Sequence, residues 1–235
     1  MNEMGAKGFD ELKKTTPIET NKAINDYVNC IVKPITSVAA DQMNVDQWEV
    51  VVFKNDQVNA FALPGGKIGV YTGILSILKT DGQLAAVLGH EVGHVIAQHG
   101  NERMSEGLGA QAGIMLLDYL LGKKMDPTIK GTILGAIGIG LQFGVLLPFS
   151  RTHESEADII GIQLMAKAGF DPNQAAQVWR NMLAAKGGST PIPEVLSTHP
   201  SDESRIANIE SHLNEVMPFY QKAKDLKKTP VCVRP

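Results

Sequence analysis

The sequence lacks a strong excess of charge of either sign. It contains 22 basic and 25 acidic residues, for a formal net charge of −3, and no lysine and arginine cluster is interleaved with aromatic residues. Attraction to a phosphate backbone needs such a cluster, so the composition argues against a nucleic-acid-binding protein. With 235 residues, 43% of them hydrophobic, the chain is long enough to bury a substantial core in one large domain.

Cysteine is also scarce. Cys30 and Cys232 stand near opposite ends of the sequence, and neither belongs to a CxxC motif. The spacing therefore argues against a thiolate metal site. It leaves three states of the two cysteines open: a single disulfide, two free thiols or no partnership.

Two further absences concern export and membranes. Met1 to Asp10 has no charged segment followed by an apolar one, so we expect no secretory signal peptide within the given residues. Residues 131–149 carry no charge over 19 positions, which is long enough to span a bilayer, but five glycines dilute them and the mean hydropathy of the chain is −0.05. We expect residues 107–149 to form a helical hairpin buried in, or capping, the main domain, with peripheral membrane contact as the alternative.

The most informative motif is HEVGH at residues 90–94. Helical spacing of apolar residues and terminal signals predict a helix from an N-cap at Thr80 to a stop at Gly100. His90 and His94 then lie one turn apart on one face, so both imidazoles reach one tetrahedral metal ion, with Glu91 beside them. The motif predicts a zinc site with a general base, and two incidental histidines on a surface helix are the alternative.

A second candidate element follows Ser150. Glu154 and Asp158 are four residues apart at the start of a strongly periodic apolar helix. Such a pair suits a division of labour in which Glu154 ligates zinc and Asp158 accepts the free ring N–H of a ligating histidine, with His90 as the expected partner. A solvated acidic first turn, stabilised by the helix dipole, is the alternative.

Three motifs in order resemble those of a known family: HEVGH, SRTHESEAD at residues 150–158, and THP at residues 198–200 with Arg205 after it. From about Trp48 to about Leu213, the chain is similar to the gluzincin metallopeptidases of the HtpX-like, BepA-like and CAAX prenyl endopeptidase group, in its soluble bacterial branch. The resemblance implies one Zn²⁺ with the ligands His90, His94 and Glu154, the general base Glu91 and the orienting carboxylate Asp158.

The remaining histidines differ in what they suggest. The resemblance places His199 and Arg205 at the rim of the site, where His199 would contact zinc or an oxyanion and Arg205 would fix His199 or the substrate carbonyl. A capping His-Pro pair and a surface arginine are the alternative. His99 is about 140° round the same predicted helix from His94, so we expect it to be structural or exposed. His153 and His212 are expected to have no role in the site.

The expected fold class is α+β, a mainly helical zincin-like domain with a small antiparallel β-sheet beside the HExxH helix. The β-prone runs are residues 48–53, 58–63 and 67–72. We divide the chain into an N-terminal helical segment at 1–45, a catalytic domain at 46–215 and a C-terminal tail at 216–235.

The expected function is zinc-dependent hydrolysis of internal peptide bonds, of misfolded or envelope proteins, by a water that Glu91 activates. The polypeptide substrate is expected to add as a β-strand near Asn59 to Leu63. Two alternatives stay open: a chaperone-like quality-control factor gated by the glycine-rich hairpin or His199, and a membrane-integral protease. The resemblance implies a periplasmic or envelope location, with a leader absent from the given residues.

Overall fold

In the computed structural model of the chain, the structure describes residues 2–42, 47–121, 128, 151–186, 199 and 203–235. The helices are α1 (Asn2–Thr15), α2 (Lys22–Ala39), α3 (Ile74–Ile77), α4 (Asp81–Ile96), α5 (His99–Leu121), α6 (Arg151–Lys167), α7 (Asn173–Lys186) and α8 (Glu203–Asp225), with a 3₁₀ turn at Ala40–Gln42. The strands are β1 (Glu49–Phe53), β2 (Ala60–Leu63) and β3 (Lys67–Tyr71). The predicted fold class, α+β and mainly helical, is confirmed.

Helices α4 and α6 form the centre of the molecule and pack backbone against backbone. A Cβ atom added at Gly161 would lie 2.8 Å from the amide nitrogen of His90, and one added at Gly93 would lie 2.8 Å from the carbonyl oxygen of Ala157. Only residues without a side chain allow this approach, so the glycines set the distance between the two helices. That distance brings the side chains of the two predicted metal motifs together.

The sheet is mixed, with strand order β1-β3-β2. β2 pairs antiparallel with β3, as predicted, but β1 pairs parallel with β3, so the prediction of a wholly antiparallel sheet is wrong at this pair. The chain does reverse twice, at residues 54–59 and at the turn that contains Gly65 and Gly66, both at positive φ. Two reversals leave β1 and β3 running in the same direction, and the six-residue link lets β3 take the central position.

The two faces of the sheet are buried against different helices, because alternate residues of a strand point to opposite sides. Val52 and Val70 face the main core, which α2, α4, α6, α7 and α8 also line. Phe53 and Tyr71 face a small aromatic cluster with Phe9 of α1. The N-terminal helices thus cover the sheet and the main core.

The ends of the chain are tied to the same core. Cys30 on α2 and Cys232 form a disulfide, with their Cα atoms 5.7 Å apart, which decides among the three states that the sequence left open. A hydrogen bond of 2.6 Å from Arg234 Nη2 to the carbonyl of Leu75 also holds the last residues of the chain. Residues 216–225, placed in the tail by the sequence, continue α8.

The predicted hairpin at residues 107–149 lies only partly within the described chain. Its first part, to Leu121, belongs to α5, on which Leu108, Met115 and Tyr119 are exposed. Apart from residue 128, the rest of the predicted hairpin lies outside the described residues. Within the described ranges, no helix combines the length and the apolar character that crossing a bilayer requires.

Candidate metal centre

Four side chains from three parts of the chain converge on one buried point. His90 Nε2 on α4 lies 3.0 Å from His94 Nε2 and 3.3 Å from His199 Nδ1. Glu154 Oε1 on α6 lies 2.9 Å from His199 Nδ1 and 3.4 Å from His94 Nε2. One ligand atom from each of the four residues lies within 4.8 Å of all the others, and all four side chains are buried.

This set of donors fits a metal ion of the zinc type. The ring nitrogens of His90 and His94 that face each other, together with the oxygens of Glu154, are buried groups that can each offer a lone pair to a metal ion. Imidazole and carboxylate donors around a tetrahedral zinc ion are separated by about 3.3 Å, which follows from bond lengths of about 2.0–2.1 Å. The observed separations of 2.9–3.4 Å between these side chains are of that size.

The electrostatics of the metal-free cluster favour charge on its carboxylates. Burial raises the pKa of Glu154, but hydrogen bonds from His199, His90 and His94 outweigh burial and hold the pKa well below its ordinary value. For His94, burial dominates and lowers the pKa to about 3. His94 is therefore a neutral imidazole, with a lone pair for a metal ion, over the physiological pH range.

His90 has the opposite balance. Burial lowers its pKa, but the hydrogen bond and the charge of Asp158, followed by those of Glu154, overcome burial and raise the pKa to about 9. His90 Nδ1 lies 2.9 Å from Asp158 Oδ1, so the Nδ1 proton is donated to this carboxylate. The predicted contact between Asp158 and His90 is present, and it leaves His90 Nε2 facing the cluster.

Arg205 is buried behind the cluster rather than at its rim, with 3% of its surface exposed. Its Nε and Nη2 donate to the two oxygens of Asp158 at 2.8 and 2.7 Å, and its Nη1 lies 2.6 Å from Glu154 Oε2. The guanidinium also lies over the ring of Trp179, 4.0 Å from its centroid. One arginine on α8 thus holds Glu154 and Asp158, two of the three carboxylates of α6.

Glu91, the next residue after His90 on α4, approaches the same cluster at His199. Its Oε1 is buried and has no hydrogen-bond partner among the described residues, with His199 Nε2 3.5 Å away. A buried carboxylate oxygen without a donor is unfavourable unless a further polar group binds there. The position suits a group that exchanges a proton with a substrate or a water molecule.

The sequence did not reveal the position of His99. α4 ends at Ile96 rather than Gly100, and Gln98 at φ 59° turns the chain before α5 begins. His99 is therefore not exposed on the same helix: it is 1% exposed, and its Nδ1 lies 2.9 Å from His94 Nδ1. No glycine at residue 98 announces the left-handed turn, so the sequence carried no local signal for it.

His153 is also part of this region, and it is buried. Its ring stacks on that of His99, with centroids 4.3 Å apart, and its Nε2 lies 3.0 Å from Glu102 Oε2. His212 is hydrogen bonded to the carbonyl of Asn208 on its own helix, away from the cluster.

Comparison with known proteins decides the family. The model of peptidase family M48 matches residues 22–213, which is most of the chain. The chain belongs to peptidase family M48. The predicted resemblance to this group of metallopeptidases is confirmed, and the match extends into α2, before the Trp48 boundary drawn from the motifs.

Two relatives show how similar this M48 chain is to known proteins and how much of their length it covers. The mitochondrial metalloendopeptidase OMA1 of Schizosaccharomyces pombe is 40% identical over 189 residues, which cover 80% of the chain and 53% of that protein. The beta-barrel assembly-enhancing protease of Escherichia coli is 27% identical over 231 residues, which cover 95% of the chain and 46% of that protein. The chain thus spans about half the length of these relatives.

Proposed function

We propose that this M48 domain is a zinc-dependent endopeptidase that hydrolyses internal peptide bonds of extended or misfolded polypeptides. The observation that carries the proposal is the convergence of His90, His94 and Glu154 on one buried point. We assign these three residues as the zinc ligands. Zinc at this point would supply Lewis-acid chemistry, polarising the scissile carbonyl and lowering the pKa of water towards neutrality.

The protein's own groups divide the remaining work. Glu91 takes a proton from the attacking water and returns it to the leaving amine, a role that its unpaired buried Oε1 supports. Asp158 fixes the tautomer of His90 by accepting its Nδ1 proton. Arg205, bound to Asp158 and Glu154, is a positioning residue in this mechanism rather than a contact to the substrate carbonyl.

The expected substrate geometry is an added β-strand on β2. The outer edge of β1 is taken by an antiparallel bridge between Ile18 and Phe53, whereas among the described residues no further strand pairs with β2. The amide of Tyr71 donates to the carbonyl of Asn59, so alternation along the pair directs the amide of Ala62 away from β3. β2 also packs against α4, the helix that carries His90 and His94.

The edge-strand proposal can be tested at a single amide. Ala62→Pro removes an outward N–H without removing a bond to β3, and Ala62→Ser keeps that N–H at a similar size. We expect the proline variant to raise KM for a long unfolded substrate and the serine variant to match the wild type. Equal KM values for both variants and wild type would rule out β2 as the docking strand.

The assignment of the base is tested by Glu91→Gln. The variant should retain zinc and its thermal stability but lose cleavage of unfolded casein, because glutamine cannot accept the proton. Glu203→Gln, at an exposed glutamate that begins α8, is the matched control and should cleave normally. Wild-type cleavage by Glu91→Gln would remove Glu91 from the mechanism.

The assignment of the third ligand is tested by metal analysis. Glu154→Ala should reduce the zinc content and the affinity for zinc, while Glu203→Ala should leave both unchanged. If Glu154→Ala bound zinc with unchanged stoichiometry and affinity, Glu154 would not be a ligand.

A second function is favoured by one observation: His199 Nδ1 lies 2.9 Å from Glu154 Oε1 and 3.3 Å from His90 Nε2, where a fourth ligand would bind. In that case His199 blocks the site, and the domain is a quality-control factor whose proteolysis depends on a partner or a misfolded client. The variant His199→Ala separates the two functions. Faster casein cleavage supports the gate, and slower cleavage supports a direct catalytic role for His199.

We further propose a periplasmic or envelope location. The disulfide between Cys30 and Cys232 supports an oxidising compartment. The name of one relative, the beta-barrel assembly-enhancing protease of Escherichia coli, is in keeping with substrates in the envelope. Trapping thiols in intact cells with a maleimide reagent tests this: labelling of both cysteines before reduction would contradict the proposed compartment.

A further inference from the structure

The proposed ligands His90 and His94 are held from behind in different ways. Asp158, itself bound by Arg205, accepts the Nδ1 proton of His90. Within the described part of the chain, the group that lies behind His94 is the imidazole of His99, with the two Nδ1 atoms 2.9 Å apart. We infer that His99 is a positioning residue for this reaction, which fixes the tautomer and the ring orientation of His94. This inference rests on the proposed role of His94 as a metal ligand.

The backbone is built to bring His99 to this position. On a continued α4 helix, His99 would be about 7.5 Å further along the axis and about 140° round from His94. Instead, Gln98 adopts φ 59°, a left-handed conformation that is unfavourable for a residue with a side chain. The amides of Asn101 and Glu102 donate to the carbonyl of Gln98 and stabilise the turn. The turn places His99 against the rear of His94.

The contacts of His94 and His99 determine which ring nitrogen of each carries the proton. His94 Nε2 faces His90 and Glu154 at the metal point, so it must present a lone pair there, and its proton lies on Nδ1. That proton is donated to the lone pair of His99 Nδ1. His99 then carries its own proton on Nε2, which lies 3.2 Å from Glu156 Oε2. One chain of hydrogen bonds therefore runs from the proposed ligand to a carboxylate.

The surroundings fix the ring of His99. Its side chain is 1% exposed, and the ring of His153 stacks on it with an interplanar angle of 26°. His153 in turn contacts Glu102 on α5. Glu156 is 56% exposed at its side chain, so water competes for its contact to His99. We therefore expect the loss of the Glu156 carboxylate to matter less than the loss of the His99 ring.

Three variants separate positioning from packing. His99→Leu fills the volume but offers His94 no acceptor, whereas His99→Asn offers an amide oxygen close to the position of Nδ1. His153→Phe keeps the stack on His99 and does not alter the contact to His94, so it is the matched control. The metal-free protein is titrated with Zn²⁺ in competition with a chromophoric chelator, and the same proteins loaded with Co²⁺ are compared by their visible absorption spectra.

We expect His99→Leu to bind Zn²⁺ about 10- to 100-fold more weakly than wild type and to change the Co²⁺ spectrum, as loss of a partner of a ligating histidine does. His99→Asn should recover much of the affinity, and His153→Phe should match the wild type. Wild-type affinity in His99→Leu, or equal losses in His99→Leu and His99→Asn, would overturn the inference. If the wild-type chain itself bound no Zn²⁺, both the proposed function and this inference would fall.

Discussion

Replacement of Arg205 by methionine should destabilise the protein strongly, even without metal. The guanidinium is buried, bonded to both oxygens of Asp158 and paired with Glu154. Methionine keeps much of the contact with the Trp179 ring but leaves two buried carboxylates without this cation. Breaking a buried pair from one side reduces stability by about 3–5 kcal/mol. We expect a loss of stability near 3 kcal/mol, because His90, with a pKa of about 9, is a second cation in contact with Asp158 and Glu154.

The assay is urea unfolding of the metal-free protein, with thermal unfolding as a second measure. For a chain of this length, about 3 kcal/mol corresponds to a fall in Tm of about 6–12 °C. Metal is removed first because a ligand bound only to the native state would add its own stabilisation. Arg180→Met is the matched control: Arg180 pairs with Glu210 where both side chains are nearly half exposed, and its loss should reduce stability by less than about 1 kcal/mol.

A double-mutant cycle with Asp158→Asn then isolates the contact. The two single variants and the double variant should give a coupling energy above about 1 kcal/mol between Arg205 and Asp158. Losses that simply add, or a loss in Arg205→Met no larger than that in Arg180→Met, would refute the reasoning. In that case Arg205 would not be the residue that holds the α6 carboxylates in place.

Three further predictions concern packing, covalent linkage and pH. Gly161→Ala should reduce stability by about 1–3 kcal/mol, since its Cβ would press on the α4 backbone. The control Gly109→Ala has nothing within 4 Å of its Cβ and should stabilise the helix by about 0.5–1 kcal/mol. Equal Tm values for the two variants would refute this reasoning. Breaking the Cys30–Cys232 disulfide by Cys30→Ser should lower the unfolding free energy by about 2–5 kcal/mol. The upper value follows from the separation of 202 residues between the two cysteines. An unchanged urea midpoint would contradict this prediction. Burial, and then a neighbouring carboxylate, raise the pKa of Tyr27 to about 12, above about 10 in the unfolded chain, so its contribution is complete below pH 10 and is lost as pH rises towards 12. Tyr27→Phe should therefore lose less stability than wild type between pH 9 and 11.5, and parallel losses would disprove the shift.

The short-range features of the site could be predicted from the sequence, because each involves residues within about one turn of a helix. Thr80 caps α4 by accepting from the amide of Gln83, as its position predicted. The i, i+4 spacing placed His90 and His94 on one face, and the same spacing placed Glu154 and Asp158 on one face of α6. These pairs are local geometry, so no knowledge of the packing was needed to find them.

Predictions that involved sequence separations of tens of residues were less complete. The prediction of a wholly antiparallel sheet was wrong for β1 and β3, because alternation along a strand indicates which faces are buried but not which strand it pairs with. The sequence placed Arg205 at a rim, whereas α8 inserts it between Trp179 and Asp158. A charged residue is expected at the surface unless the fold supplies its partners, and those partners lie on other helices.

The sequence by itself determined the family, the fold class and the candidate metal ligands, since each motif lies within one or two helical turns. Only the tertiary structure decided how these motifs meet. The glycine contacts between α4 and α6 set the distance between His90 and Glu154, and the left-handed turn at Gln98 brings His99 behind His94. Both depend on close packing between distant segments, which spacing along the chain does not encode.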